Sequence, residues 1–127
     1  MERYEEALEA YDKAIEIDPK NADAWYYKGI TLDNMERYEE AIEAYDRAIE
    51  IDPQYALAWR NKGNTLGKLL RYEEALEAYD IATEIDPQDA DAWNNKGSTL
   101  DDMERYEEAL EAYDKAIEIN PTHSSIW

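Results

Sequence analysis

Two helical patterns alternate along the chain. From Ala22 to about Met35, Trp25, Gly29 and Leu32 recur at i, i+4 and i+7, which sets them on one helix face. From Tyr38 to Ile51, Ala41, Ala44, Tyr45, Ala48 and Ile51 form a single stripe. Glu39 and Glu40 fill the first turn of this second helix, where a helix N-terminus favours negative charge. Glu43 and Arg47 are spaced for an i,i+4 ion pair on its exposed side. Pro53 stops it, because the residue before a proline is pushed out of the helical region. Asn21 is placed to cap the helix that begins at Ala22. Links of only a few residues require successive helices to lie antiparallel.

The pattern repeats with a fixed step. Trp25, Trp59, Trp93 and Trp127 are each 34 residues apart, as are Pro19, Pro53, Pro87 and Pro121. Gly29, Leu32 and Tyr45 keep the same step with Gly63, Leu66 and Tyr79, then Gly97, Leu100 and Tyr113. The segment Met1 to Ile17 recurs unchanged from Met103 to Ile119. The small residues predict the packing: Gly29 and Ala41 leave room for two backbones to approach, with Tyr45 and Leu32 on either side. Ala48 offers a flat place for the first helix of the next repeat. A single hairpin cannot bury both faces, so neighbours must stack.

Trp, Gly, Leu, Ala, Tyr, Ala and Pro in this register resemble the tetratricopeptide repeat. The resemblance implies an all-α fold, a right-handed superhelical solenoid of antiparallel helix pairs. It divides the chain into a lone second helix (1–21), three full repeats (22–55, 56–89, 90–123) and the start of another (124–127). Lys28, Lys62 and Lys96 stand where the family usually has Leu, and their aliphatic stems can cross the core edge with the amine in water.

The resemblance also implies a function, a protein-interaction scaffold whose first helices line a concave, peptide-holding surface. Carried over by register, that lining is Asp23, Tyr26, Ile30, Asp33 and Asn34, then Leu57, Arg60, Asn64, Gly67 and Lys68, then Asp91, Asn94, Ser98, Asp101 and Asp102. Acidic ends flank a basic middle, and Tyr26, Ile30 and Leu57 make an apolar patch. Arg60 and Lys68 are expected to hold an acidic side chain or phosphate, Tyr26 and Ile30 an apolar side chain, and Asp33 or Asp101 a Lys or Arg. The family's carboxylate clamp, two basic and two Asn positions over three repeats, is poorly matched. Counted from repeat one only Asn61 fits; from repeat two Arg60, Asn64 and Asn95 fit without a closing repeat.

Charge narrows the partners. The 127 residues hold 32 Asp and Glu against 13 Lys and Arg, a formal net charge of −19. Such a surface repels nucleic acid and anionic membranes, so neither is an expected partner. Apolar runs are short and no basic stretch opens the chain, so neither a membrane span nor a secretory signal is expected and a cytoplasmic location is the default. Without Cys there is no thiol chemistry or disulfide. Four Trp and eleven Tyr favour a packed core over disorder.

Nothing in the sequence points to catalysis. Gly63 to Lys68 has three residues between its glycines and is followed by Leu69, whereas a phosphate-binding loop needs four, then Ser or Thr. The paired glutamates recur in every second helix and read as a solvated face rather than as two carboxyls across a cleft. Asp86, Asp89 and Asp91 lack the Gly and terminal Glu of a calcium loop. His123 is the only His. No enzyme, metal site or cofactor is expected. An alternative to peptide binding is self-assembly through open solenoid ends, at Tyr4, Leu8 and Tyr11 on one side and Ile126 and Trp127 on the other. Copies carrying −19 each should then associate more strongly as salt is added.

Overall fold

The computed structural model describes residues 2–121. Among them are seven helices: α1 (Glu2–Ile17), α2 (Ala22–Asn34), α3 (Tyr38–Ile51), α4 (Ala56–Lys68), α5 (Tyr72–Ile85), α6 (Ala90–Asp102) and α7 (Tyr106–Ile119). They form a right-handed superhelical solenoid of antiparallel pairs: α2 with α3, α4 with α5, and α6 with α7. Ile126, Trp127 and His123 lie outside the described residues.

Local chemistry sets each boundary. Asn21 Oδ1 accepts from the Ala24 amide at 3.1 Å and Asp89 Oδ1 from that of Ala92 at 3.2 Å, which caps α2 and α6. Tyr55, at the same position before α4, makes no cap and donates its hydroxyl to Asp23 at 2.6 Å. Before α3, Arg37 grips Glu40 through Nε at 2.7 Å and Nη2 at 2.8 Å. Arg71 and Arg105 repeat that fork on Glu74 and Glu108. The 34-residue step shared by Trp and Pro has a direct cause: Trp25, Trp59 and Trp93 donate their indole N–H to the carbonyls of Pro19, Pro53 and Pro87.

The turn inside each hairpin closes on an unexpected residue. Glu36, Leu70 and Glu104 adopt φ of 62°, 62° and 63°, the left-handed region usually left to glycine. There the amide of Arg37 reaches Leu32 O at 2.9 Å and that of Glu36 reaches Asp33 O at 2.9 Å, which satisfies the last carbonyls of α2.

The core is a column of small and large apolar residues. Ala41, Ala48, Ala58, Ala75 and Ala82 are fully buried, and Leu32, Leu66, Leu100, Tyr45 and Tyr79 nearly so. What stands nearest the glycines is a tyrosine ring rather than the backbone expected from the sequence. A Cβ on Gly29, Gly63 or Gly97 would stand 2.6 to 2.7 Å from Cε1 of Tyr45, Tyr79 or Tyr113. Nor does Arg47 pair with Glu43; it leans to Glu50 at 3.6 Å and over the Trp25 ring at 5.2 Å. Lys28, Lys62 and Lys96 do cross the core edge, and each ends on the second helix of the preceding repeat. Their amines meet Asp12, Asp46 and Asp80 at 2.8, 2.7 and 2.8 Å and sit 5.2 to 5.3 Å over Trp25, Trp59 and Trp93.

Candidate functional site

A cavity of about 560 Å³ opens between the first helices. Ile30, Asp33, Asn34, Asn64, Gly67, Lys68, Ser98 and Asp102, all expected by register, line it. Leu57, Arg60 and Asp91 line a second concavity, of about 470 Å³, with Asp86, Asp89 and Asn120. Asp23, Asn94 and Asp101 line neither. Tyr26 is not an open apolar contact but a core residue, 5% exposed, with Tyr27 and Tyr55 rings 5.1 and 5.0 Å from its own. Burial raises the pKa of its phenol above the ordinary value.

The floor of the larger cavity is a chain of amides. Asn61 Nδ2 donates to Tyr26 Oη at 2.7 Å, Asn64 Nδ2 to Asn61 Oδ1 at 3.3 Å, and Asn95 Nδ2 to Asn64 Oδ1 at 3.0 Å. Tyr79 also donates to Asn64 Oδ1, at 2.5 Å. The chain spans three repeats and fixes each amide's orientation. Asn61, Asn95, Tyr45, Tyr72, Tyr79 and Thr99 line the cavity although the carried-over set omitted them. The available signal was Asn61 and Asn95 at the same repeat position, where repeat one has Tyr27.

Both groove cations are engaged within the chain. Arg60 Nη1 lies 3.1 and 3.0 Å from the two carboxylate oxygens of Asp89 and 3.8 Å from Asp91 Oδ2. The Arg60 and Asp89 side chains are only 21% and 9% exposed, so this pair is screened less than a surface pair. Lys68 Nζ holds Asp33 at 3.0 and 3.2 Å and sits 5.6 Å over the Tyr38 ring. The basic middle expected from the sequence is therefore neutralised, while Asp101 and Asp102 stay exposed and carry no ion pair among the described residues.

A family profile described as the tetratricopeptide repeat matches residues 22–55, 56–89 and 90–123, and one described as the TPR repeat matches residues 1–35. The chain belongs to the tetratricopeptide repeat family. Among solved structures, this tetratricopeptide array is similar to a crystal structure of MamA at 27% identity and a TM-score of 0.90, covering 97% of this chain and 72% of that one. MamA 41-end from Desulfovibrio magneticus RS-1 is similar at 28% identity and a TM-score of 0.88, over 97% and 70%. A second MamA crystal structure follows at 25% identity and 0.86, over 96% and 67%. No curated protein matches the chain. Tetratricopeptide membership and MamA-like architecture support a protein-interaction scaffold, and such families are typically non-enzymatic. No helix among the described residues is long and apolar enough to cross a membrane.

Proposed function

We propose that the concave face binds an extended peptide, held by its backbone on the asparagine chain and by its basic side chains on the groove's carboxylates. The observation that carries this reading is the orientation of Asn95. One of its amide hydrogens goes to Asn64, and its carbonyl oxygen and second N–H are the complement of a peptide group. The engaged state of Arg60 and Lys68 argues against an acidic or phosphorylated partner, which would have to displace Asp89 or Asp33. Asp102 on the cavity wall, with Asp101 beside it in the chain, suits a Lys or Arg. The whole chain's net charge of −19 likewise favours a basic partner and repels nucleic acid.

A display library of unstructured peptides, followed by calorimetry on the selected sequences, tests this. Selected peptides should be rich in Lys or Arg, lose affinity as salt rises, and lose about tenfold, ~1.4 kcal/mol, on Asn95→Ala. Peptides that bind Asn95→Ala and Asp101→Asn/Asp102→Asn chains as tightly as the parent would overturn it.

One observation favours a second reading, association of copies through the solenoid end. Tyr106 and Leu110 on α7 are 57% and 61% exposed, side by side on one helix face. At the other end Leu8 is 9% exposed against α2 and so belongs to the core, whereas Tyr4 and Tyr11 stay half-buried. Salt separates the two readings, since screening strengthens contact between acidic copies and weakens capture of a basic peptide.

A further inference from the structure

α7 presents a face that the other second helices keep covered. Leu110 is 61% exposed, whereas its counterparts Ile42 and Leu76 are each 8% exposed in clusters with Leu66 and Leu100 of the following repeat. Leu8 of α1, another counterpart, is 9% exposed in the cluster of Tyr26 and Leu32. Residues 103–119, which contain α7, are identical to residues 1–17, which contain α1. The surface of α2 that accepts α1 is therefore matched, side chain for side chain, by α7 of another copy.

We infer that α7 of one copy displaces α1 from α2 of a second copy, joining the two chains as one continuous array. The proposal rests on the reading of α7 as an association face and adds to it the receiving surface and the helix that leaves. Leu110 takes the place of Leu8. Asp114 meets Lys28 as Asp12 does at 2.8 Å, and as Asp46 and Asp80 meet Lys62 and Lys96 within the chain. Glu107 meets Arg37 as Glu39 and Glu73 meet Arg71 and Arg105, at 3.4 and 3.8 Å.

The exchange gives more than it removes, because α7 arrives with α6. An internal joint has a layer between first helices, the one that holds Asn61 on Tyr26 and Lys68 on Asp33. Among the described residues no first helix precedes α1, whereas α6 comes with α7 and sets Asn94 and Asp101, in the register of Tyr26 and Asp33, against Tyr27 and Asn34 of the receiving α2. The joint is head to tail, so its repetition adds copies in a line and does not close a dimer.

The chain has no Cys, so single cysteines report the contact directly. A Lys28→Cys chain is mixed with an Asp114→Cys chain at high protein concentration and high salt, then treated with a short bismaleimide. The expected product is a crosslinked pair of twice 14.9 kDa. It is lost when the Asp114→Cys chain also carries Leu110→Glu, a change at an exposed position that leaves each chain folded. It rises severalfold when the Lys28→Cys chain carries Leu8→Glu, which loosens α1. Association seen by light scattering and abolished by Leu110→Glu, but with no 28–114 crosslink or with a crosslink weakened by Leu8→Glu, overturns the exchange and leaves the association face standing. A chain monomeric at every concentration and salt overturns both.

Discussion

Two glycines on one helix should respond to the same substitution with opposite sign. In α4, Gly63 faces the Tyr79 ring, where an added Cβ would lie 2.7 Å from Cε1, whereas nothing stands within 4 Å of Gly67. Helix propensity alone favours alanine at either site by about 0.8–1 kcal/mol. At Gly63 the ring would have to retreat by about 0.8 Å to reach an ordinary carbon contact near 3.5 Å. It has little freedom to do so: Tyr79 is 3% exposed, packs with Ile42, Leu66 and Ala75, and is held by its hydroxyl on Asn64. Overpacking of this kind costs about 1–3 kcal/mol, so Gly63→Ala should be destabilised by about 1 kcal/mol net. Gly67→Ala should gain about 0.5–1 kcal/mol. The gap, about 2 kcal/mol, corresponds to roughly 8 °C in melting temperature for a chain of this size. Far-UV circular dichroism during urea and thermal unfolding measures it. Removing the ring should reverse the sign, so that Gly63→Ala stabilises a Tyr79→Leu background. Equal or greater stability of Gly63→Ala relative to the parent would show that the ring does not set the size limit.

Leu70 is 69% exposed and held at φ 62°, so Leu70→Gly should raise stability by about 1 kcal/mol in the same urea assay. Thr65 is fully buried and donates to Asn61 O at 3.1 Å; Thr65→Val should cost about 0.5–1.5 kcal/mol in the same assay by removing that hydrogen bond. Burial raises the pKa of Tyr45 and Tyr79 above the ordinary phenol value. Their contribution is present below the unfolded pKa and is lost as pH rises above it towards the folded one. Near-ultraviolet phenolate absorbance for these two rings should therefore appear only together with unfolding. The fork from Arg71 lowers the Glu74 pKa below its ordinary value. Stability from that pair is present above the unfolded pKa and lost as pH falls through the folded one, so any deficit of Glu74→Gln should close in acid. Urea midpoints across pH check this, and a deficit that persists below the carboxylate range would contradict it.

The helices and their period were legible because burial imposes a strict spacing on Trp, Leu, Tyr and Ala, and the spacing is local. What escaped was interaction at a distance. The pairing of Arg60 with Asp89 links positions 29 residues apart, and that of Lys68 with Asp33 links positions 35 apart. Neither follows from helix periodicity, so the two cations that the sequence assigns to an acidic side chain or phosphate of a partner are engaged within the chain. The left-handed turns were hidden for a different reason: Glu36, Leu70 and Glu104 carry no glycine to mark them. The sequence marks Gly29 as a place of close approach, but which atoms approach it depends on the neighbouring helix, which brings the Tyr45 ring there. The asparagine chain was half visible, since the 34-residue step pairs Asn61 with Asn95 but cannot aim their amides.

Successive repeats are tied to one another on both sides of the array. On the groove side, short contacts such as Lys68 to Asp33 at 3.0 Å and Asn95 to Asn64 at 3.0 Å bridge each joint. Toward the second helices the joint is bridged as closely, by Lys62 to Asp46 at 2.7 Å and Lys96 to Asp80 at 2.8 Å, with the looser pairs Arg71 to Glu39 at 3.4 Å and Arg105 to Glu73 at 3.8 Å beside them. Because each repeat is fastened only to its neighbours, small rotations at successive joints add along the chain, and the array behaves as a spring. Both sides of each joint are pinned: the asparagine row and the Lys68 bridge resist spreading of the groove, and the lysine–aspartate pairs hold each first helix to the second helix before it. A partner seated on that row would therefore meet a trough of nearly fixed width, and what the coil gives along its length would be the sum of small turns at many joints.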